Sequence, residues 1–96
     1  MPHVPRLDST KVDKRLAELP RWALIDGKLH REFRFPDFRQ AFAFMTGVAL
    51  KADQMDHHPE WSNVYNRVTI DLTTHDSSGL TEKDFELAVE ADKLAG

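Results

Sequence analysis

The sequence predicts an α+β domain with its elements in the order αββαββα, a four-stranded antiparallel sheet with the helices packed on one face. Three observations carry this. Residues 28–35 and 68–73 alternate polar with apolar side chains, the period-two pattern of half-buried antiparallel strands. A shorter strand-like segment and a turn residue, Gly27 or Asn66, precede each of them, which makes two hairpins. Between the hairpins, residues 37–55 carry apolar side chains at helical spacing.

In order along the chain, Thr10 with Asp13 resembles a capping box, and Val12, Leu16 and Leu19 follow at helical spacing until Pro20 stops the helix. Residues 22–26 read as a short strand. In the returning strand the even positions are polar (Lys28, His30, Glu32, Arg34), and the odd ones are apolar except Arg31. Pro36 and Asp37 open the longest helix, which runs to about residue 55. Phe38, Ala41, Phe42, Met45, Val48, Ala49, Ala52 and Met55 form one apolar stripe on it. Phe44 falls off that stripe, as either a partly buried core edge or part of a partner surface. Asp56-His57-His58-Pro59 ends the helix, because a residue before proline avoids helical backbone. Residues 62–65 form a short strand, and Val68, Ile70 and Leu72 mark the inner face of the last one. Thr81 with Asp84 is a second capping box, Leu80 and Phe85 suit a hydrophobic staple, and Phe85, Ala88 and Val89 face the core.

Ninety-six residues without a repeat or a linker make a single domain over 1–96, with 1–7 as a loose N-terminal arm. Leu, Ile, Val and Phe supply 24 of the residues, too many for a disordered chain. With 13 basic against 16 acidic residues the net charge is −3, where a nucleic-acid binder of this size is usually basic. From Asp76 onward there are two basic and six acidic residues, which argues against anionic membranes as well. No stretch approaches the ~18 consecutive apolar residues of a membrane span. Residues 1–6 have no apolar core and do not read as a signal peptide. The absence of cysteine excludes a disulfide framework, thiolate metal sites and a cysteine nucleophile, and it suits a reducing compartment. A cytoplasmic protein is the expectation.

Among five histidines, His57 and His58 stand together at the exit of the long helix, and His75 stands at the end of the last strand. A helix end and a strand end can meet at one rim of the sheet. An isolated histidine near a helix C-terminus needs no function, since the dipole favours it there. A His-His-Pro step is different, because it neither packs well nor continues a helix. Three histidines can hold zinc, which would make a metal-dependent hydrolase. However, adjacent residues of an extended chain point to opposite sides, and there is no His-x-His or His-Glu-x-x-His pair. Ser62, Ser77 and Ser78 lack the setting of a nucleophile elbow, and the four glycines form no phosphate loop. Metal-free acid–base chemistry fits best, because an imidazole can both give and take protons near neutral pH. Asp53, Asp56 and Asp76 flank the histidines, and Trp61 with Tyr65 can form a flat apolar wall for a planar ring. Asp84 is in the first place a helix-capping acid.

Asp53, His57-His58-Pro59-Glu60-Trp61, Asn63-Val64-Tyr65-Asn66-Arg67-Val68, Thr74-His75-Asp76, Gly79-Leu80-Thr81 and Asp84 together resemble the pterin-4a-carbinolamine dehydratases, and residues 38–50 look like the long helix of that family. The likeness spans roughly 22–88. It implies the same αββαββα fold and an enzyme, 4a-hydroxytetrahydrobiopterin dehydratase, that removes water from a 4a-hydroxytetrahydropterin to give a quinonoid dihydropterin in tetrahydrobiopterin recycling. It implies no metal and no bound cofactor. Positions matching His57, His58 and His75 are the family's active-site histidines, and those matching Asp56, Thr73, Thr74 and Asp76 line its pterin site. Members form homodimers through paired sheets and often homotetramers through the long helices. One animal branch doubles as a dimerisation cofactor of a homeodomain transcription factor, so a non-catalytic cofactor module with a vestigial pocket is the rival reading. Lys83 stands where the animal enzymes carry arginine, which loses the planar fork of a bidentate contact.

Overall fold

The computed structural model describes residues 4–96. The elements run α1 (Ser9–Leu16), β1 (Ala23–Ile25), β2 (Lys28–Arg34), α2 (Phe38–Met55), β3 (Glu60–Val64), β4 (Arg67–Leu72), a one-turn 3-10 helix (His75–Ser77) and α3 (Glu82–Ala95). All pairings in the four-stranded sheet are antiparallel, in the order β1-β2-β4-β3. The predicted α+β class and element order hold.

Each hairpin closes where the backbone allows it. Asp26 (φ 51°) and Gly27 (φ 77°) both take left-handed backbone between β1 and β2, as a tight two-residue turn requires. In the β3–β4 turn, Tyr65 takes φ 50° and the Asn66 side chain donates to the carbonyl of Phe35, 2.9 Å away. The alternation is obeyed on the central strands. Leu29 and Phe33 of β2 and Val68, Ile70 and Leu72 of β4 are buried, and α2 and α3 pack on each other and on these two strands. Arg31, the exception in the alternation, sits 4.0 Å over the Phe33 ring and pairs with Asp92 of α3. Asp92 also accepts from the Trp22 indole at 2.8 Å, so one carboxylate ties α3 to the sheet at two points.

The helices depart from expectation in three places. Asp8 caps α1, its carboxylate accepting from the Lys11 amide at 2.9 Å, and Thr10 lies inside the first turn. A carboxylate three residues ahead of a free amide outcompetes the later threonine. In α2, capped by Asp37, the stripe read from the sequence merges two faces. Ala41, Phe44, Val48 and Ala52 are buried, whereas Phe38, Phe42, Ala49 and Leu50 are exposed. Phe44 is therefore core, with its ring 4.6 Å from Phe33 and 4.9 Å from Phe35. The apolar arc is wider than one packing face, and spacing alone does not say which edge turns inward. Finally, the arm is held rather than loose over its described part. The Leu7 amide donates to Leu80 at 2.8 Å, and the Ser77 hydroxyl donates to the carbonyl of Val4. Residues 1–3 lie outside the described ones.

Thr81 and Asp84 form the capping box of α3 as predicted. Phe85, fully buried, anchors that helix in the core with Leu87, Ala88 and Ala91. Phe85→Ala is expected to cost about 3–5 kcal/mol in urea unfolding, as a large core deletion that neighbours cannot refill.

Candidate active site

The three histidines meet in one cleft of about 260 Å³, lined by Asp56, His57, His58, Thr73, Thr74, His75 and Asp76. Seven of the eight residues predicted for the site are thus together. The eighth, Trp61, pairs in register with buried Ile70, packs against the core and does not line the cleft. Tyr65 is also elsewhere: it lies beyond the far end of the six-residue β4, about 20 Å along the strand from the histidines.

The exit of α2 explains why neighbouring histidines have different surroundings. Asp56 takes left-handed backbone (φ 52°), which a short polar residue tolerates better than most. Its amide then donates to the carbonyl of Asp53 at 3.1 Å, and the amide of His57 to that of Ala52 at 2.9 Å. This pair of bonds closes the helix and turns the next residue inward. His57 is buried at 8% exposure, while the His58 side chain is 62% exposed and 3.6 Å from the Asp53 carboxylate.

The His57 Nε2 lies 2.6 Å from Oδ1 of Asp84, a carboxylate with no solvent exposure. Oδ2 of Asp84 accepts from the Thr74 hydroxyl at 2.7 Å and from the Thr81 amide at 2.9 Å. A carboxylate can only accept, so His57 donates through Nε2. Three segments converge on this one group: the exit of α2, the loop after β4 and the start of α3. Lys83, beside Asp84, donates from Nζ to the carbonyl of Met55 at 3.4 Å, a single contact that needs no planar fork.

His75 opens the 3-10 turn rather than ending the strand, because β4 stops at Leu72 and the loop is tied at its base by Thr74 and Gly79. Its Nε2 lies 3.0 Å from Oε2 of Glu60, the first residue of β3. The other oxygen of Glu60 accepts from Lys28 Nζ at 2.6 Å. The hydrogen bond from Lys28, with the charges of Lys28 and His75, holds the Glu60 carboxyl below its ordinary value, and the hydrogen bond to Glu60 raises Lys28. Both partners thus favour the ionised form of Glu60, the form that accepts from His75.

Sequence reasoning missed the two carboxylates that brace the histidines. Asp84 was legible only as a cap, because nothing local reports that its second oxygen faces His57. Glu60 was hidden by being adjacent to His58 and Pro59 in the chain while reaching a residue 15 positions on. The flanking acids Asp56 and Asp76 line the cleft, and only Asp53 approaches a histidine. Among the described residues no three His, Asp or Glu side chains cluster as metal ligands would. No helix of the described residues is long and apolar enough to cross a membrane.

Comparison with known proteins gives this geometry a context. The family model described as "Pterin 4 alpha carbinolamine dehydratase" matches residues 5–94. A protein of Solibacter usitatus named "Putative pterin-4-alpha-carbinolamine dehydratase" is 56% identical over 90 residues, covering 94% of this chain and 95% of that one. The crystal structure of a transcriptional coactivator/pterin dehydratase from Brucella melitensis superposes with a TM-score of 0.91 at 43% identity, over 95% of this chain and 99% of that one. A pterin dehydratase-like protein identified as a RuBisCO assembly factor in the alpha-carboxysome is more distant, with a TM-score of 0.66 at 27% identity over 79% and 88% of the two chains. With a match across nearly its whole length and a fold shared at that level, the chain belongs to the pterin-4a-carbinolamine dehydratase family.

Proposed function

We propose that this protein dehydrates 4a-hydroxytetrahydropterins by histidine acid–base catalysis, with His57 and His75 as the proton-transfer residues and His58 positioning the ring. The observation that carries this reading is the pairing of two cleft histidines with separate carboxylates, His57 with Asp84 and His75 with Glu60. Each carboxylate accepts a hydrogen bond from Nε2 and leaves the other ring nitrogen for the substrate. His58 has only a 3.6 Å approach to an exposed acid, which suits a contact residue better than a braced base.

The chemistry needs two proton movements. The bond from C4a to its hydroxyl oxygen breaks, and that oxygen takes a proton from one imidazolium to leave as water. The proton on N5 passes to the other, neutral imidazole as the C4a–N5 bond becomes double. The product is a quinonoid dihydropterin, and the exchanged protons equilibrate with solvent. Asp56, Thr73, Thr74 and Asp76 line the cleft and supply polar contacts to the heterocycle. A single positioned acid or base contributes roughly 10²–10⁴-fold in rate.

A relative described as a coactivator and another described as an assembly factor raise the rival reading of a binding module. Three cleft histidines, two of them held by buried or ion-paired carboxylates, support catalysis here, because a binding module gains nothing from poised imidazoles. We further propose a homo-oligomer built on the second apolar face of α2. Phe38 and Phe42 stack at 5.6 Å and are 47% and 55% exposed, and Leu50 is 70% exposed. A monomer rarely leaves such a run in water.

Stopped-flow dehydration should slow by about 10²–10⁴-fold in His57→Ala and in His75→Ala. Unchanged rates in the double variant would overturn the assignment. Asp84→Asn keeps the volume and the cap but removes the charge that orients His57. It should lower kcat by about 10²-fold and abolish the hydrogen-bonded imidazole N–H signal of His57 in proton NMR, a signal that a purely structural role would leave in place. Phe42→Glu should shift sedimentation toward a smaller species while far-UV circular dichroism stays unchanged.

A further inference from the structure

His57 and His75 are held to different depths. The His57 ring is buried against Asp84, whereas the His75 side chain is 78% exposed and belongs to the loop of residues 73–80 between β4 and α3. The base of that loop is firm. Thr74 and Gly79 exchange backbone hydrogen bonds at 3.1 and 3.4 Å, and the Thr74 hydroxyl donates to Asp84 at 2.7 Å. The tip, from His75 to Ser78, has less of its own to hold it. It is a single 3-10 turn, closed by the amides of Ser77 and Ser78 donating to the carbonyls of Thr74 and His75, both 3.1 Å away. Ser78 leaves the turn in left-handed backbone (φ 56°), a conformation that disfavours a residue with a Cβ and persists only where neighbours hold it.

Among the described residues, three hydrogen bonds tie this tip to other segments, and two of them end on the N-terminal arm. The Ser77 hydroxyl donates to the carbonyl of Val4, and the Arg6 guanidinium donates to the carbonyl of Ser78 at 3.4 Å. The third is the contact of His75 with Glu60. Just past the tip, the Leu7 amide donates to the carbonyl of Leu80 at 2.8 Å. The arm thus runs along the loop and is fastened on both sides of Gly79. The fit there is close, because a Cβ on Gly79 would stand 2.7 Å from Cδ and 3.1 Å from Cγ of Arg6. Gly79 is not in left-handed backbone, so what the glycine supplies is room for the Arg6 stem.

We infer that the N-terminal arm is a second brace of His75, with Arg6 as a positioning residue that acts through the tip of the loop. This rests on the function proposed above. Glu60 holds the imidazole at one ring nitrogen, and the arm holds the backbone that carries the ring. A ring pinned at one atom on a loose backbone can swing about that atom, and a shift of about 1 Å in a reacting group can slow a reaction by roughly 10²-fold. His57 needs no such help, since its brace is buried in the core of the rim. The arm makes few buried contacts, so its fastening governs where the loop sits rather than whether the domain folds.

The test uses the close approach at Gly79. Gly79→Ala pushes the Arg6 stem away without changing any side chain of the cleft, and Arg6→Ala removes the stem. In stopped-flow dehydration by the full chain, each should lower kcat by about 10–100-fold with KM little changed. The double variant should be no slower than either single one, because both changes remove the same contact. Arg6→Lys keeps a stem and a donor and should stay close to wild type. In NMR spectra of the histidine rings, the His75 signals should shift in Gly79→Ala and in Arg6→Ala while those of His57 stay in place. Wild-type kcat in both single variants overturns the role of the arm, and so do additive losses in the double variant or equal shifts of both histidines. A wild-type chain that dehydrates no pterin overturns the proposed function instead, and the His75 signals alone then decide whether the arm sets the position of that ring.

Discussion

A carboxylate buried without solvent contact must be satisfied on both oxygens, and the way Asp84 is satisfied organises this molecule. Its partners are the His57 ring, the Thr74 hydroxyl and the Thr81 amide. Each belongs to a different segment, and each also closes something local: the exit of α2, the loop after β4 and the first turn of α3. Removing a partner from a buried ion costs far more than an ordinary hydrogen bond, so the three segments are locked in one arrangement. The common device of capping a helix with an acid here also sets the orientation of an imidazole.

The contrast between His57 and His58 follows from the backbone. Left-handed Asp56 reverses the chain just as the helix runs out, and two amide bonds fix the reversal. One histidine is then driven inward against Asp84, and the next is left on the surface before Pro59. His75 is held differently, from outside, by a carboxylate that is itself held by Lys28 of β2, reaching across the end of β4. A buried brace and an ion-paired brace give the cleft two imidazoles in unlike environments.

The rest of the fold is a platform for that rim. Arg31, which breaks the apolar alternation of β2, lies flat on Phe33 and meets Asp92, while Trp22 reaches the same carboxylate. These contacts dock α3 on the sheet, and α3 carries Asp84. The aromatic cluster of Phe33, Phe35 and Phe44 does the same for α2, whose end carries the histidine pair. The outer face of α2 is left apolar and unused by the monomer, and the N-terminal arm is tethered to the His75 loop.

By itself the sequence determined the element order, the hairpins and the Thr81–Asp84 cap, whereas the meeting of His57 and His58 with His75 was only allowed by it. The first three follow from short-range physics: side-chain period, backbone restriction at Gly27 and Pro59, and hydrogen bonds spanning three residues. Tertiary structure alone decided that Phe44 is core while Phe42 is surface, that Trp61 turns toward Ile70, and that Asp84 and Glu60 brace histidines 27 and 15 positions away. Those outcomes depend on which side of each element meets its neighbour. A periodic pattern gives an apolar arc and a carboxylate gives two acceptors, but only packing sets the direction in which either one faces.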